Sequence, residues 1–90
     1  MDRLHELEVF VAVADAGGFA KAGGRMRLSP PAVTRAIAAL EDRLGARVFN
    51  RTTRSLTITE VGQRFLENAR RILIDLDSAE KDAVGETSVP

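Results

Sequence analysis

The chain contains no cysteine, which removes disulfide staples and thiolate metal sites together. Aromatic residues are scarce, at 4% of the chain and all of them phenylalanine. Long hydrophobic runs are missing too: unbroken apolar stretches last only a few residues, against the ~20 that a membrane-spanning helix needs. The segment Met1–Gly18 carries four acids in place of the basic start of a signal peptide. These absences read as a cytoplasmic protein with no membrane partner. Ninety residues leave no room for a second domain. A chain of this size buries only roughly 60–65% of its unfolded surface, so the core is lean and a partner can supply part of the stability. Net charge is absent as well, since thirteen Lys and Arg balance thirteen Asp and Glu. As an average, that balance argues against nucleic acid, whose binders usually carry a basic footprint.

The distribution reverses the inference. Residues 1–20 hold one base and four acids, and residues 72–90 hold one base and five acids. Residues 21–71 hold eleven bases, ten of them arginine, against the four acids Glu41, Asp42, Glu60 and Glu67, a net of +7. Arginine presents a planar fork of donors that suits phosphate and guanine edges, so an arginine-rich block signals nucleic acid more strongly than the same charge carried by lysine. A basic face that merely meets solvent is the bland alternative.

Along the chain, Leu4, Leu7, Phe10, Val11 and Ala14 recur at helical spacing behind Asp2, a suitable N-cap. Gly17-Gly18 ends this first helix. A short second one runs over Phe19, Ala22 and Met26, although Gly23 and Gly24 inside it cost about 1 kcal/mol each relative to alanine. The pair is read as serving close helix–helix approach. In Leu28-Ser29-Pro30-Pro31-Ala32-Val33, Ser29 is the N-cap and Pro30 takes the first helical position, where its missing N–H costs nothing. Val33, Ile37, Leu40 and Leu44 form the apolar stripe of this third helix, and Gly45 is its C-cap. Thr34, Arg35 and Ala38 lie opposite the stripe. Residues Val48 to Thr59 are rich in β-branched types with polar turn formers between, the pattern of a short hairpin with a basic tip. Thr59 caps a long last helix, with Glu60 placed against the positive end of its dipole. Within it Phe65, Ala69, Ile72, Leu76, Ala79 and Ala83 step like the a/d seam of a coiled coil. Leu66 and Leu73 form a second apolar line, so one line can face the domain and the other a partner chain. Residues 85–90 have linker composition.

This order predicts a mainly α fold: a winged helix-turn-helix, with a three-helix core and a short β-hairpin wing, followed by a long linker helix. The third helix can then lie in a major groove. Small residues at Pro30, Pro31, Ala32, Thr34 and Ala38 allow close approach to base edges. Thr34 and Arg35 can hydrogen-bond to bases or phosphate, and the Ser29 end directs N–H groups and a positive dipole outward. On the hairpin, Arg51 and Arg54 can straddle the backbone or enter a narrow minor groove.

The runs Phe19-Ala20-Lys21-Ala22, Leu28 to Ile37, Leu40-Glu41, Leu44-Gly45, Val48-Phe49, Arg51 and Leu56 to Gly62 together resemble the N-terminal DNA-binding domain of LysR-type transcriptional regulators, over roughly Leu4 to Ala83. The resemblance implies a bacterial repressor or activator that reads an inverted repeat in double-stranded DNA as a homodimer through the linker helix. It also implies a larger effector-binding domain, so that any small-molecule effector would bind outside this chain. Residues 1–59 would form the DNA-binding unit, 60–84 the linker and 85–90 the start of a hinge. The chain is accordingly expected to be an excised segment or a naturally truncated regulator. Carried over by position, the base-contacting sites are Pro30, Pro31, Thr34 and Arg35, within a recognition face that runs from Ser29 through Ala32 to Ala38. The wing sites are Arg51 and Arg54, with Thr52 and Thr53 between them. Pro30 stands where many relatives carry glutamine, so that position makes only apolar or shape contacts. Gly23 and Gly24 replace the alanine and polar residue common in the second helix, which implies a softer unit.

Other chemistry finds little support. Phe10, Phe19, Phe49 and Phe65 read as core. His5 has no ligand cluster around it, and Ser29 has no adjacent Lys or His motif to activate it. Glu41 and Asp42 point apart on adjacent helix positions and read as balancing Arg43 and Arg47. No phosphate loop or metal-ligand spacing occurs, so neither catalysis nor a cofactor is expected. The competing non-enzyme reading is a winged-helix module for protein association, indifferent to DNA.

Overall fold

A computed structural model describes residues 2–52 and 55–85. Its elements are α1 (Arg3–Ala16), α2 (Phe19–Met26), α3 (Pro30–Leu44), β1 (Phe49–Arg51), β2 (Leu56–Ile58) and α4 (Glu60–Ala83). The expected order is present, and the caps are where local chemistry puts them. The Asp2 side chain accepts from the His5 N–H at 3.0 Å, and Ser29 Oγ accepts from Ala32 N–H at 3.3 Å. Pro30 opens α3, which ends at Gly45 in the left-handed region, φ 69°. A side chain would be strained at that φ, and glycine is not.

The first helix departs from its expected stripe. Val9, Phe10 and Val13 are wholly buried, whereas Leu4 is exposed. The reason is position: α1 packs against α2, α3 and α4 together, so apolar residues on more than one of its faces meet neighbours. Ala22 from α2, Val33, Ile37 and Leu40 from α3, Val48 and Phe49 from the hairpin, and Leu66 and Ala69 from α4 complete one core. Phe10 sits at its centre, with its ring centroid 5.3 Å from those of both Phe49 and Phe65. A buried acid accompanies this core: Glu6, 3% exposed, is ion-paired with Arg43 of α3. The pairing ties α1 to α3 and supplies the partner that a buried carboxylate requires.

The strands pair antiparallel, with Phe49 opposite Ile58, Asn50 opposite Thr57 and Arg51 opposite Leu56. The hairpin is joined to α4 through Thr59, whose N–H donates to Val48 O at 3.0 Å. The Thr59 hydroxyl donates to Arg47 O at 2.7 Å and accepts from Gly62 N–H at 2.9 Å. Directly behind it, a Cβ built on Gly62 would lie 2.3 Å from Val48 O. Only glycine lets α4 start this close to the strand. Farther along α4, Arg70 reaches back to Asp15 at 2.7 Å, and hydrogen bonding to that carboxylate raises the Arg70 pKa above its ordinary value.

The adjacent glycines of α2 separate into two cases. A Cβ on Gly23 would sit 2.8 Å from Leu28 O and 3.3 Å from Val33 Cγ2, whereas one on Gly24 would meet nothing within 4 Å. Close approach therefore explains Gly23 alone, and Gly24 only weakens the helix. Gly24→Ala is expected to stabilise the fold by about 0.5–1 kcal/mol. Gly23→Ala, which drives a methyl group against backbone, is expected to destabilise it by about 1–3 kcal/mol. Urea denaturation of the two variants checks the opposite signs.

Candidate nucleic-acid interface

The surface formed by α3 and the hairpin carries the expected residues. Ser29, Pro30, Pro31, Thr34, Arg35 and Ala38 are exposed and Ala32 is half-buried, while Val33, Ala36, Ile37 and Leu40 face the core. The turn before α3 is made by Arg27, which stands in the left-handed region at φ 58°, and by Leu28, whose N–H donates to Gly23 O at 2.8 Å. This turn leaves the capped start of α3 open to solvent.

The exposed face of α3 is divided between two clefts. Thr34 and Ala38 line an open cleft of about 250 Å³, with Phe19, Glu41, Arg47, Phe49 and Arg51 among its other walls. Arg35 lines a separate one with Asp2, His5, Glu6 and Ala32. Thr34 and Arg35 thus stand on different sides of the helix crest, one toward the hairpin and the other toward the start of α1.

On the hairpin, Phe49 and Arg51 share a face by strand periodicity. Phe49 is buried and Arg51 is exposed. The Arg51 guanidinium carbon lies 4.3 Å from the centroid of the Phe19 ring. Thr52 is tied to Ser55. Its N–H donates to Ser55 O at 2.9 Å, and its hydroxyl accepts from Ser55 N–H at 3.0 Å. Thr53 and Arg54, the remaining expected wing residues, lie outside the described residues.

The carboxylate of Glu41 anchors the hairpin to α3. It accepts from Val48 N–H at 2.8 Å and Phe49 N–H at 3.4 Å, and lies 3.9 Å from Arg47 Nε. The expected balance between Glu41 and Arg47 is therefore present, and Arg43 pairs with Glu6 of α1. Backbone anchoring, which sequence reasoning missed, is the larger part of what Glu41 does. It also missed Arg47 as a wall of the cleft and Phe19 as the platform under Arg51. Alternation of Phe49 and Arg51 hinted at a shared face, but nothing local connects either to Phe19. Among the described residues no group of three His, Cys, Asp or Glu side chains could hold a metal.

The seam of α4 is divided by the fold. Ala69 is 0% exposed and belongs to the chain's own core, as Leu66 does, and Phe65 packs on Phe10. From Ile72 onward the seam is open: Ile72 is 48% exposed, and Leu76, Ala79 and Ala83 are exposed as well. Leu73 is the last residue of α4 that packs against the core cluster, and it does so on a different line from the seam.

A family model described as bacterial regulatory helix-turn-helix protein, lysR family, matches residues 4–63. The chain belongs to the LysR family. Among relatives, it is 49% identical over 70 residues to the HTH-type transcriptional regulator TfdT of Cupriavidus pinatubonensis, covering 78% of this chain and 31% of TfdT. It therefore spans under a third of that regulator's length. Among solved structures, the DNA-binding domain of CbnR in complex with DNA superposes with a TM-score of 0.83 at 38% identity, covering 99% of this chain and 100% of that one. The BenM DNA-binding domain in complex with catB site 1 DNA superposes at 0.90 with 29% identity and full coverage of both chains. The winged helix-turn-helix with its long following helix is thus the family fold.

Because Glu41 fixes the start of β1 through two backbone bonds, Glu41→Ala is expected to cost about 1–3 kcal/mol, the range for orphaning buried N–H groups. Chemical denaturation followed by far-UV circular dichroism checks this.

Proposed function

We propose that this chain is the double-stranded-DNA-reading part of a bacterial transcriptional regulator, acting as a homodimer in the cytoplasm, with no catalytic role. One observation carries the reading: an exposed helix face of small residues shares a cleft with the hairpin's Arg51 through Thr34 and Ala38, and presents Arg35 on its other side. Solved relatives that match end to end are described as DNA complexes, which supports the assignment. Insertion of α3 into the major groove would bring Pro30, Pro31, Ala32, Thr34 and Ala38 against base edges, with Arg35 able to take a guanine edge. The hairpin would meet the adjacent backbone. Ser29 would present the start of α3, with its outward dipole, to a phosphate. Among the described residues no helix is long and apolar enough to cross a membrane.

For the homodimer, the supporting feature is the open apolar stretch of α4. Ile72 also lines an apolar cleft of about 370 Å³ with Leu4, Leu40, Leu44 and Phe65, and Leu76 extends the apolar surface along α4. Two copies pairing there would place two recognition helices on one duplex, whose site would share the two-fold symmetry. An effector would act through the part of such a regulator that this chain does not span.

Selection from a random duplex pool should yield an inverted repeat, and its affinity should fall steeply with salt. Arg35→Ala is expected to weaken the selected site by about 1–3 kcal/mol and relax preference at one position per half-site. A protein-association module would instead give a dimer without salt-dependent DNA binding. Leu76→Asp, which sets a charge into the open seam, is expected to yield monomers in sedimentation velocity; an unchanged dimer would refute the assignment.

A further inference from the structure

Arg51 is the hairpin's cation among the described residues, yet it extends from a strand of only three residues. A long side chain there would ordinarily sample many rotamers, and holding it in one geometry costs up to about 2 kcal/mol of side-chain entropy. In this chain the guanidinium lies over the ring of Phe19, 4.3 Å from its centroid. Phe19 is itself fixed. It opens α2, is half-buried, and meets Phe49 edge-on, with centroids 6.1 Å apart and planes at 70°. Phe49 in turn rests on Phe10 in the core. Arg51 therefore stands on a stack of rings anchored in the centre of the molecule.

The stack opens onto the cleft between α3 and the hairpin, where Thr34 and Ala38 form one wall and Arg47 a further cationic one. The acid in that cleft, Glu41, is engaged by two backbone N–H groups and Arg47. A guanidinium held over a ring face is attracted by the ring without using up its N–H donors, which stay available for the oxygens of a phosphate. Resting on the DNA-binding reading above, we propose that Phe19 is a positioning residue for DNA: its ring holds Arg51 in place for a backbone phosphate beside α3. Phe19 touches no nucleotide in this arrangement and acts through Arg51.

A contact to phosphate is blind to sequence, so a fluorescently labelled mixed-sequence DNA duplex is a sufficient probe. Affinity and its salt dependence are measured for the whole chain and for Phe19→Leu, Phe19→Tyr, Arg51→Ala and the double variant Phe19→Leu/Arg51→Ala. Arg51→Ala is expected to lower the salt slope by about one phosphate contact. Phe19→Leu is expected to weaken binding about three- to fivefold, the scale of an exposed cation–π contact, and Phe19→Tyr to retain wild-type affinity because the ring face is kept. The deciding comparison is the double variant. A positioning role predicts that Phe19→Leu has no further effect once Arg51 is gone. Equal weakening by Phe19→Leu in both backgrounds would assign Phe19 to the core alone and overturn the proposal, as would unchanged affinity of Phe19→Leu in the wild-type background. Thermal melts of each variant separate loss of folding from loss of binding. Failure of the wild-type chain to bind the duplex in a salt-dependent way would overturn the DNA-binding reading itself.

Discussion

The burial of Phe10 is the contact on which the rest of the structure depends. The chain has four phenylalanines and no larger ring, and all four are joined through three ring contacts: Phe10 to Phe49, Phe10 to Phe65 and Phe49 to Phe19. These residues lie on α1, β1, α4 and α2. One hydrophobic cluster therefore sets the place of the hairpin and of the long helix relative to the helix-turn-helix unit. Aromatic pairs of this kind add about 0.5–1.5 kcal/mol each beyond the area they bury, which matters in a domain with so little interior.

Charge is partitioned by the same architecture. Two of the acids that make the composition neutral are used inside or at the edge of the core, Glu6 on Arg43 and Glu41 on the start of β1. Asp15 ties α4 back to α1. These are fastening roles. Arg35 and Arg51, by contrast, lie exposed on the α3–hairpin surface. A whole-chain sum mixes charges that hold the fold together with charges that meet its surroundings, and so carries little information about partners.

What could be read from sequence was governed by range. Helix starts at Asp2, Ser29 and Thr59 and the stop at Gly45 are decided within four residues, and each stands where it was expected. The exposed face of α3 was legible for the same reason, since helical periodicity fixes which side chains oppose the buried stripe. Contacts across the chain were not. No pattern near Gly62 announces that Val48 O lies against it, and nothing near Phe19 indicates that Arg51 rests on its ring. The seam of α4 was visible as a repeat, but a repeat does not say how far along it the core reaches. Ala69 in the core and Ile72 in the open belong to one pattern and to two environments. Likewise the glycines at 23 and 24 are indistinguishable in sequence, and only the path of Leu28 separates them.

That division of α4 has a consequence for folding. The helix runs through 24 residues, about 36 Å at the usual rise per residue, and among the described residues its second half has little to lean on beyond local pairs such as Lys81 with Asp77. A helical stretch without tertiary support is marginal in water, and an exposed pair of that type contributes only a few tenths of a kcal/mol. Order in those last turns is therefore a thermodynamic property of whatever lies against them. Were two copies to pair along the open seam as proposed, hydrogen exchange there would vary with protein concentration while the Phe10 core stays protected, and the two ends of one continuous helix would report two separate equilibria.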